Sequence, residues 1–115
     1  MFNLGSSHTY YLYRQPTDMR KSFDSLSGLV SSQMKRDPFN GQVYIFINKQ
    51  RNRIKLLHWE SGGFTLYYKR LETGQFELPE ANQLTGSIRW SDLMMIVAGI
   101  EVKNIRRSER FSFEK

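Results

Sequence analysis

The chain has 115 residues, enough for one hydrophobic core without a metal or disulfide staple. It contains no cysteine, which excludes a disulfide framework and a thiolate metal site. Seventeen basic residues against eleven acidic ones leave a formal charge of +6, which favours an anionic partner.

The opening stretch MFNLGSSHTYYLYR has no apolar run of the kind a signal peptide needs. The longest apolar run, LMMIVAGI, is far shorter than the roughly 18 residues of a membrane span. These features predict a soluble cytoplasmic protein with no membrane partner. The charge is localised. Residues 49–70 hold six basic residues and one acidic residue, a net of +5, and residues 103–115 hold five and two, a net of +3. The remainder is therefore slightly acidic. The pattern predicts a single α+β domain over residues 1–100 and a flexible or partner-bound basic tail over 101–115.

Taken in order, Tyr10 to Tyr13 are β-favouring and predict a short first strand, ended by Pro16. Thr17 or Asp18 is a candidate N-cap. From Met19, the apolar residues Phe23, Leu26, Leu29, Val30 and Met34 recur at helical spacing, and Asp37-Pro38 closes the helix. Gly28 in its interior weakens it and suggests a close approach to a strand. Three strand-like runs follow. Val43 to Asn48 is apolar on both faces, as a central strand requires. A polar loop, Lys49 to Asn52, leads to a second strand, Arg53 to Glu60, and Ser61-Gly62-Gly63 turns into a third, Phe64 to Leu71. Gln75 to Leu78 reads as a short fourth strand ended by Pro79, residues 80–87 as a loop, and Ile88 to Trp90 as a last extended piece. Ser91 then caps a short helix, Asp92 to Ala98, with Gly99 behind it. The expected architecture is an antiparallel meander of three to five strands. One amphipathic helix packs on one face, and a short helix follows near the C-terminus.

Catalytic chemistry finds little support. His8 and His58 are the only histidines, and the acids Asp18, Asp24, Asp37, Glu60 and Glu72 are scattered singly. A two-metal nuclease centre needs clustered carboxylates, and neither a P-loop nor a dinucleotide fingerprint is present. No catalytic residue, metal or cofactor is expected. The positive signal is the meander surface. Lys49, Arg51 and Arg53 form a basic loop suited to a phosphate backbone. Lys55, Trp59, Tyr67 and Lys69 are expected to share one sheet face, with Arg70 beside them, where lysines contact phosphates and aromatics stack on bases. Trp59 and Tyr67 suit core or dimer packing better than contact with bases.

The runs Asp18-Met19-Arg20-Lys21-Ser22-Phe23-Asp24 and Asp37-Pro38-Phe39-Asn40-Gly41 stand ahead of Arg51-Asn52-Arg53-Ile54-Lys55-Leu56-Leu57-His58-Trp59. Gly62-Gly63-Phe64 and Leu66-Tyr67-Tyr68-Lys69-Arg70-Leu71-Glu72-Thr73-Gly74-Gln75-Phe76 follow. Together, in this order, they resemble the TnpB accessory proteins of the insertion-sequence-66 class of bacterial transposons, over residues 8–100. The family usually has Tyr-Trp where this chain has His58-Trp59, and an aspartate-rich turn where it has Glu60-Ser61-Gly62-Gly63. It often has Trp in place of Tyr67. The resemblance implies an accessory factor of transposition, encoded beside a separate DDE-type transposase. It supplies no catalytic residue. DNA at the element ends, that transposase and a second copy of the chain are the expected partners. The alternative is a protein–protein scaffold with no DNA contact.

Overall fold

The computed structural model describes residues 4–78 and 85–98. Its described strands are β1 (Tyr10–Tyr13), β2 (Val43–Ile47), β3 (Arg53–Glu60), β4 (Gly63–Arg70) and β5 (Thr85–Ile88). Helix α1 spans Phe23–Ser32, and α2 covers residues 90–98. The strands form one sheet in the order β4-β3-β2-β1-β5.

The β2-β3-β4 meander forms as expected, every neighbour antiparallel. The sheet as a whole does not. β1 runs parallel to β2, Tyr10 opposite Val43, so the sheet is mixed. The reason is the connection: the segment between β1 and β2 carries α1 across the sheet and returns the chain in the same direction, as a parallel pair requires. β5 pairs antiparallel with the other side of β1. Thr85 to Ser87 therefore lie in a strand where a loop was expected, and Trp90 opens α2 instead of extending a strand. The stretch from Gln75 to Leu78 is not a strand. It folds back under the β2–β3 turn, where the Phe76 N–H donates to the Arg51 carbonyl at 2.7 Å.

Side-chain alternation along the strands builds two cores. Leu26, Val30 and Met34 of the α1 region cover Tyr11, Tyr13, Tyr44, Phe46 and Leu57. Leu93 and Ile96 of α2 cover Tyr10, Leu12, Val43, Ile45, Ile54 and Leu56, with Phe76 joining them. Both sheet faces are thus layered by helix, the second of them by α2.

Helix α1 starts later than its apolar spacing suggested. Asp18 does not cap it. Its Oδ1 accepts the Arg20 N–H at 2.9 Å, a local turn that holds residues 18–21 outside the helix. Ser22 is the N-cap, and its N–H donates to Ser25 Oγ at 2.9 Å. At the other end, Lys35 adopts a left-handed φ of 58°, which stops the helix before Asp37-Pro38 is reached. Gly28 permits no close approach, because a Cβ there meets nothing within 4 Å. Phe23, expected in the core, is exposed. In α2 the Asp92 carboxylate accepts the Arg89 N–H at 3.0 Å, so the helix is capped at Arg89 and Ser91 lies within it.

Lys55 departs most from its expected role. Only 5% exposed, it points under α1. Its Nζ donates to the Met19 carbonyl at 2.7 Å and the Lys21 carbonyl at 2.6 Å, and lies 4.6 Å from the centre of the Tyr68 ring. A buried ammonium needs such compensation. Lys55 therefore anchors the loop ahead of α1 to the centre of the sheet. Replacing it by methionine keeps the bulk and strands two carbonyls, which costs about 2 kcal/mol. The Lys55→Met protein should unfold at lower urea than the wild type with an unchanged m-value; an unchanged midpoint would show that those carbonyls find water.

Candidate nucleic-acid interface

The end of the sheet where β2 turns into β3 carries a cleft of about 570 Å³. One wall is Pro16 to Arg20, held by Lys55 and by the Thr17 N–H, which donates to the Ile47 carbonyl at 2.9 Å. The other wall is made by Asn48, Lys49, Gln50, Asn52 and Arg53 of the β2–β3 turn.

That turn is built as a rigid unit. Asn48 Oδ1 accepts the N–H groups of Asn52 and Arg53, each at 3.0 Å, and its amide nitrogen reaches Asn52 Oδ1 at 2.7 Å. The Arg51 N–H closes onto the Asn48 carbonyl at 3.0 Å, with Arg51 at a left-handed φ of 58°. From outside, Gln75 Nε2 donates to the Gln50 carbonyl at 3.0 Å. Lys49 and Arg51 therefore project from a backbone whose ordering is complete before any ligand arrives. Arg53 lies at the cleft and also lines a smaller depression of about 400 Å³ with Tyr68, Arg70 and Glu72. Its Nη1 donates to Tyr68 Oη at 3.1 Å.

Arg20, Lys49, Arg53 and Arg70 thus line the two adjoining depressions against Asp18 and Glu72, a local net of +2, and Arg51 lies in the same turn. Both acids are committed to a neighbour. Asp18 Oδ2 accepts from Arg20 Nη2 at 2.6 Å, and Glu72 Oε2 from Arg70 Nε at 2.8 Å. The Arg20 guanidinium and its backbone N–H hold the Asp18 carboxyl down at about 2, so it stays ionised at neutral pH and occupies Arg20. Arg20 and Tyr68 were not singled out from the sequence. Arg20 sits two residues from a turn-forming aspartate beside the basic loop only in space, and Tyr68 needs the strand register to be placed next to Arg53.

The predicted residues do not form one surface. Lys49, Arg51, Arg53 and Arg70 come together. Lys55 is buried. Trp59 and Tyr67 are on opposite faces of the sheet, because Trp59 pairs with Phe64 and Tyr67 with Leu56. The shared face of Lys55, Trp59, Tyr67 and Lys69 does not exist: Lys55 and Trp59 face α1, and Tyr67 and Lys69 face α2. Tyr67 packs at the margin of the α2 core. Trp59, some 20 Å along β3 from Arg53, forms an aromatic triad with Phe39 and Phe64 at centroid distances of 4.9 to 5.3 Å. Phe39, at 54% exposure, presents that triad to solvent.

The two histidines, fifty residues apart in the chain, meet edge to face at 4.9 Å. His8 is thereby part of the ordered fold. His58 is buried, with Nε2 3.1 Å from the Gly41 carbonyl and Nδ1 3.8 Å from Glu60 Oε2. Among the described residues no three His, Cys, Asp or Glu side chains are placed to hold a metal, and no helix is long and apolar enough to cross a membrane.

Comparison with known proteins agrees with the resemblance. The chain is 29% identical over 93 residues to the uncharacterized protein y4jC of Sinorhizobium fredii (strain NBRC 101917 / NGR234), covering 81% of this chain and 80% of that one. It is 29% identical over 94 residues to y4hO of the same strain, covering 82% of each. No solved structure matches it. The family model described as IS66 Orf2 like protein matches residues 8–107, which takes in the cleft, the turn and the triad. The chain therefore belongs to the TnpB family of IS66 Orf2-like proteins, accessory proteins of the IS66 transposon.

Proposed function

We propose that this protein is a non-catalytic accessory factor of transposition that holds DNA by its phosphate backbone at the basic end of the sheet and acts there with the transposase of the same element. The convergence of Arg20, Lys49 and Arg53 on one cleft, with Arg51 in the turn that walls it and Arg70 in the depression that Arg53 shares, carries this reading. Phosphate contacts set affinity and position without reading sequence, and a preordered turn carrying long cations suits that task. Membership of the IS66 family supports the setting.

A second reading rests on the Phe39–Trp59–Phe64 triad. An exposed aromatic cluster is a typical anchor for a protein partner, and it lies at the other end of β3 from the cations. It serves transposase contact, alone or together with DNA binding.

A salt-titrated binding assay on element-end DNA tests the first reading. Each lost phosphate contact flattens the slope of log K against log salt by about 0.9 on duplex DNA. The combined variant Lys49→Ala/Arg51→Ala/Arg53→Ala should bind more weakly and lose about two to three units of slope. Absence of binding by the wild type at low salt would remove the DNA role. Asp18→Asn acts in the opposite direction. It releases Arg20 from its carboxylate, so affinity should rise and the slope steepen by about one unit; an unchanged slope would place Arg20 outside the interface. Trp59→Ala should leave both quantities unchanged and weaken capture of the transposase. Undiminished capture would count against the triad as its anchor.

A further inference from the structure

The sheet has two outer strands among the described residues, and they are built differently. β5 is four residues long and contains a glycine. β4 is eight residues long, pairs with β3 without a bulge and contains no proline. Its sequence Gly63-Phe64-Thr65-Leu66-Tyr67-Tyr68 carries no charge until Lys69 and Arg70. Exposed edges are ordinarily blunted by shortness, bulges, proline or inward charges, because unpaired N–H and C=O groups recruit another strand. β4 lacks these devices over its first six residues.

The register shows what fits that edge. The Leu71 N–H donates to the Asn52 carbonyl at 2.7 Å, so the odd-numbered residues of β4 bond to β3. The backbone groups of Phe64, Leu66, Tyr68 and Arg70 consequently point outward. We infer that β4 pairs antiparallel with β4 of a second copy about a two-fold axis at Tyr67, joining the two sheets into one. In that register Phe64 faces Arg70 of the second copy and Leu66 faces its Tyr68, which satisfies every outward group through about eight backbone hydrogen bonds.

The side chains then complement one another. On the α2 side Thr65 faces Lys69 of the second copy. Thr65 Oγ1 already donates to Glu60 Oε2 at 2.9 Å, so that lysine arrives beside a carboxylate. On the α1 side the Arg70 guanidinium of the second copy comes against Phe64 and the aromatic triad. No like charges oppose. Within one chain Lys69 and Glu60 lie at opposite ends of the hairpin, so this ion pair forms only between copies. Arg70 belongs also to the proposed DNA interface, and the variants that test the pairing leave it unchanged.

The chain's lack of cysteine makes the test direct. The full chain should sediment at twice 13.6 kDa. Tyr67→Cys should crosslink to itself on mild oxidation, since directly opposed non-hydrogen-bonded pairs have the Cα separation a disulfide needs. Thr65→Cys should not, because its counterpart is about 14 Å along the strand. Lys69→Glu alone and Glu60→Lys alone should each sediment as single copies, and mixing them should restore the pair. These surface changes keep the test valid if Tyr67→Cys folds poorly. A wild type that stays single at high micromolar concentration, equal crosslinking at 65 and 67, or no recovery on mixing would overturn the inference.

Discussion

The Lys55 ammonium lies between the Met19 and Lys21 carbonyls, under the start of α1 and against the Tyr68 ring. Few side chains are as costly to bury as lysine, and it is tolerated only where donors meet acceptors. Here the acceptors belong to a loop that has no regular structure of its own. That loop bridges the end of β1 to α1 and forms one wall of the basic cleft. Without the buried cation its position would rest on the Thr17–Ile47 backbone bond and on α1 packing. A charge that reads in the sequence as part of a binding surface thus stands behind that surface and sets its shape.

The opposite wall is fixed by a different means. Asn48 spends both ends of its side-chain amide inside the β2–β3 turn, and Gln75 and Phe76 brace the turn from the segment after β4. Lys49 and Arg51 of this turn are exposed, but the backbone beneath them is not free to rearrange. The two walls therefore present Arg20, Lys49 and Arg53 at fixed separations, while Asp18 tempers Arg20. The net effect is a modest, localised positive field.

Much of this was legible in the sequence. Strand β3 runs from Arg53 to Glu60 as its alternation indicates, and the basic turn lies where the polar run predicts. The face assignments failed by one residue. A three-residue turn at Ser61-Gly62-Gly63 would pair Glu60 with Phe64 and bring Lys55, Trp59, Tyr67 and Lys69 to one side. The observed turn has two residues, Ser61 and Gly62, at φ 50° and 79°, and pairs Glu60 with Gly63. A single-residue change in register transfers every side chain of a strand to the other face. The parallel β1–β2 pair was not legible for another reason. It is a non-local contact, and no periodicity within Tyr10 to Tyr13 distinguishes a sheet centre from an edge, although all four residues are buried.

Placing β1 in the middle has a consequence for function. With β5 recruited beside it and α2 folded over the second face, the sheet has no open face left. A four-stranded sheet covered by one helix would bind through the broad surface on its uncovered side. In this fold a helix packs on each face, which leaves the strand ends and the outer edge of β4 as the accessible parts of the sheet among the described residues. The basic cleft occupies one end and the aromatic triad the other, with the unblunted edge between them. Chemically distinct surfaces are thereby separated on a chain of 115 residues. Within one chain about 20 Å of strand lies between the triad and Arg53, so the proposed contacts with nucleic acid and with a protein partner do not compete for the same residues.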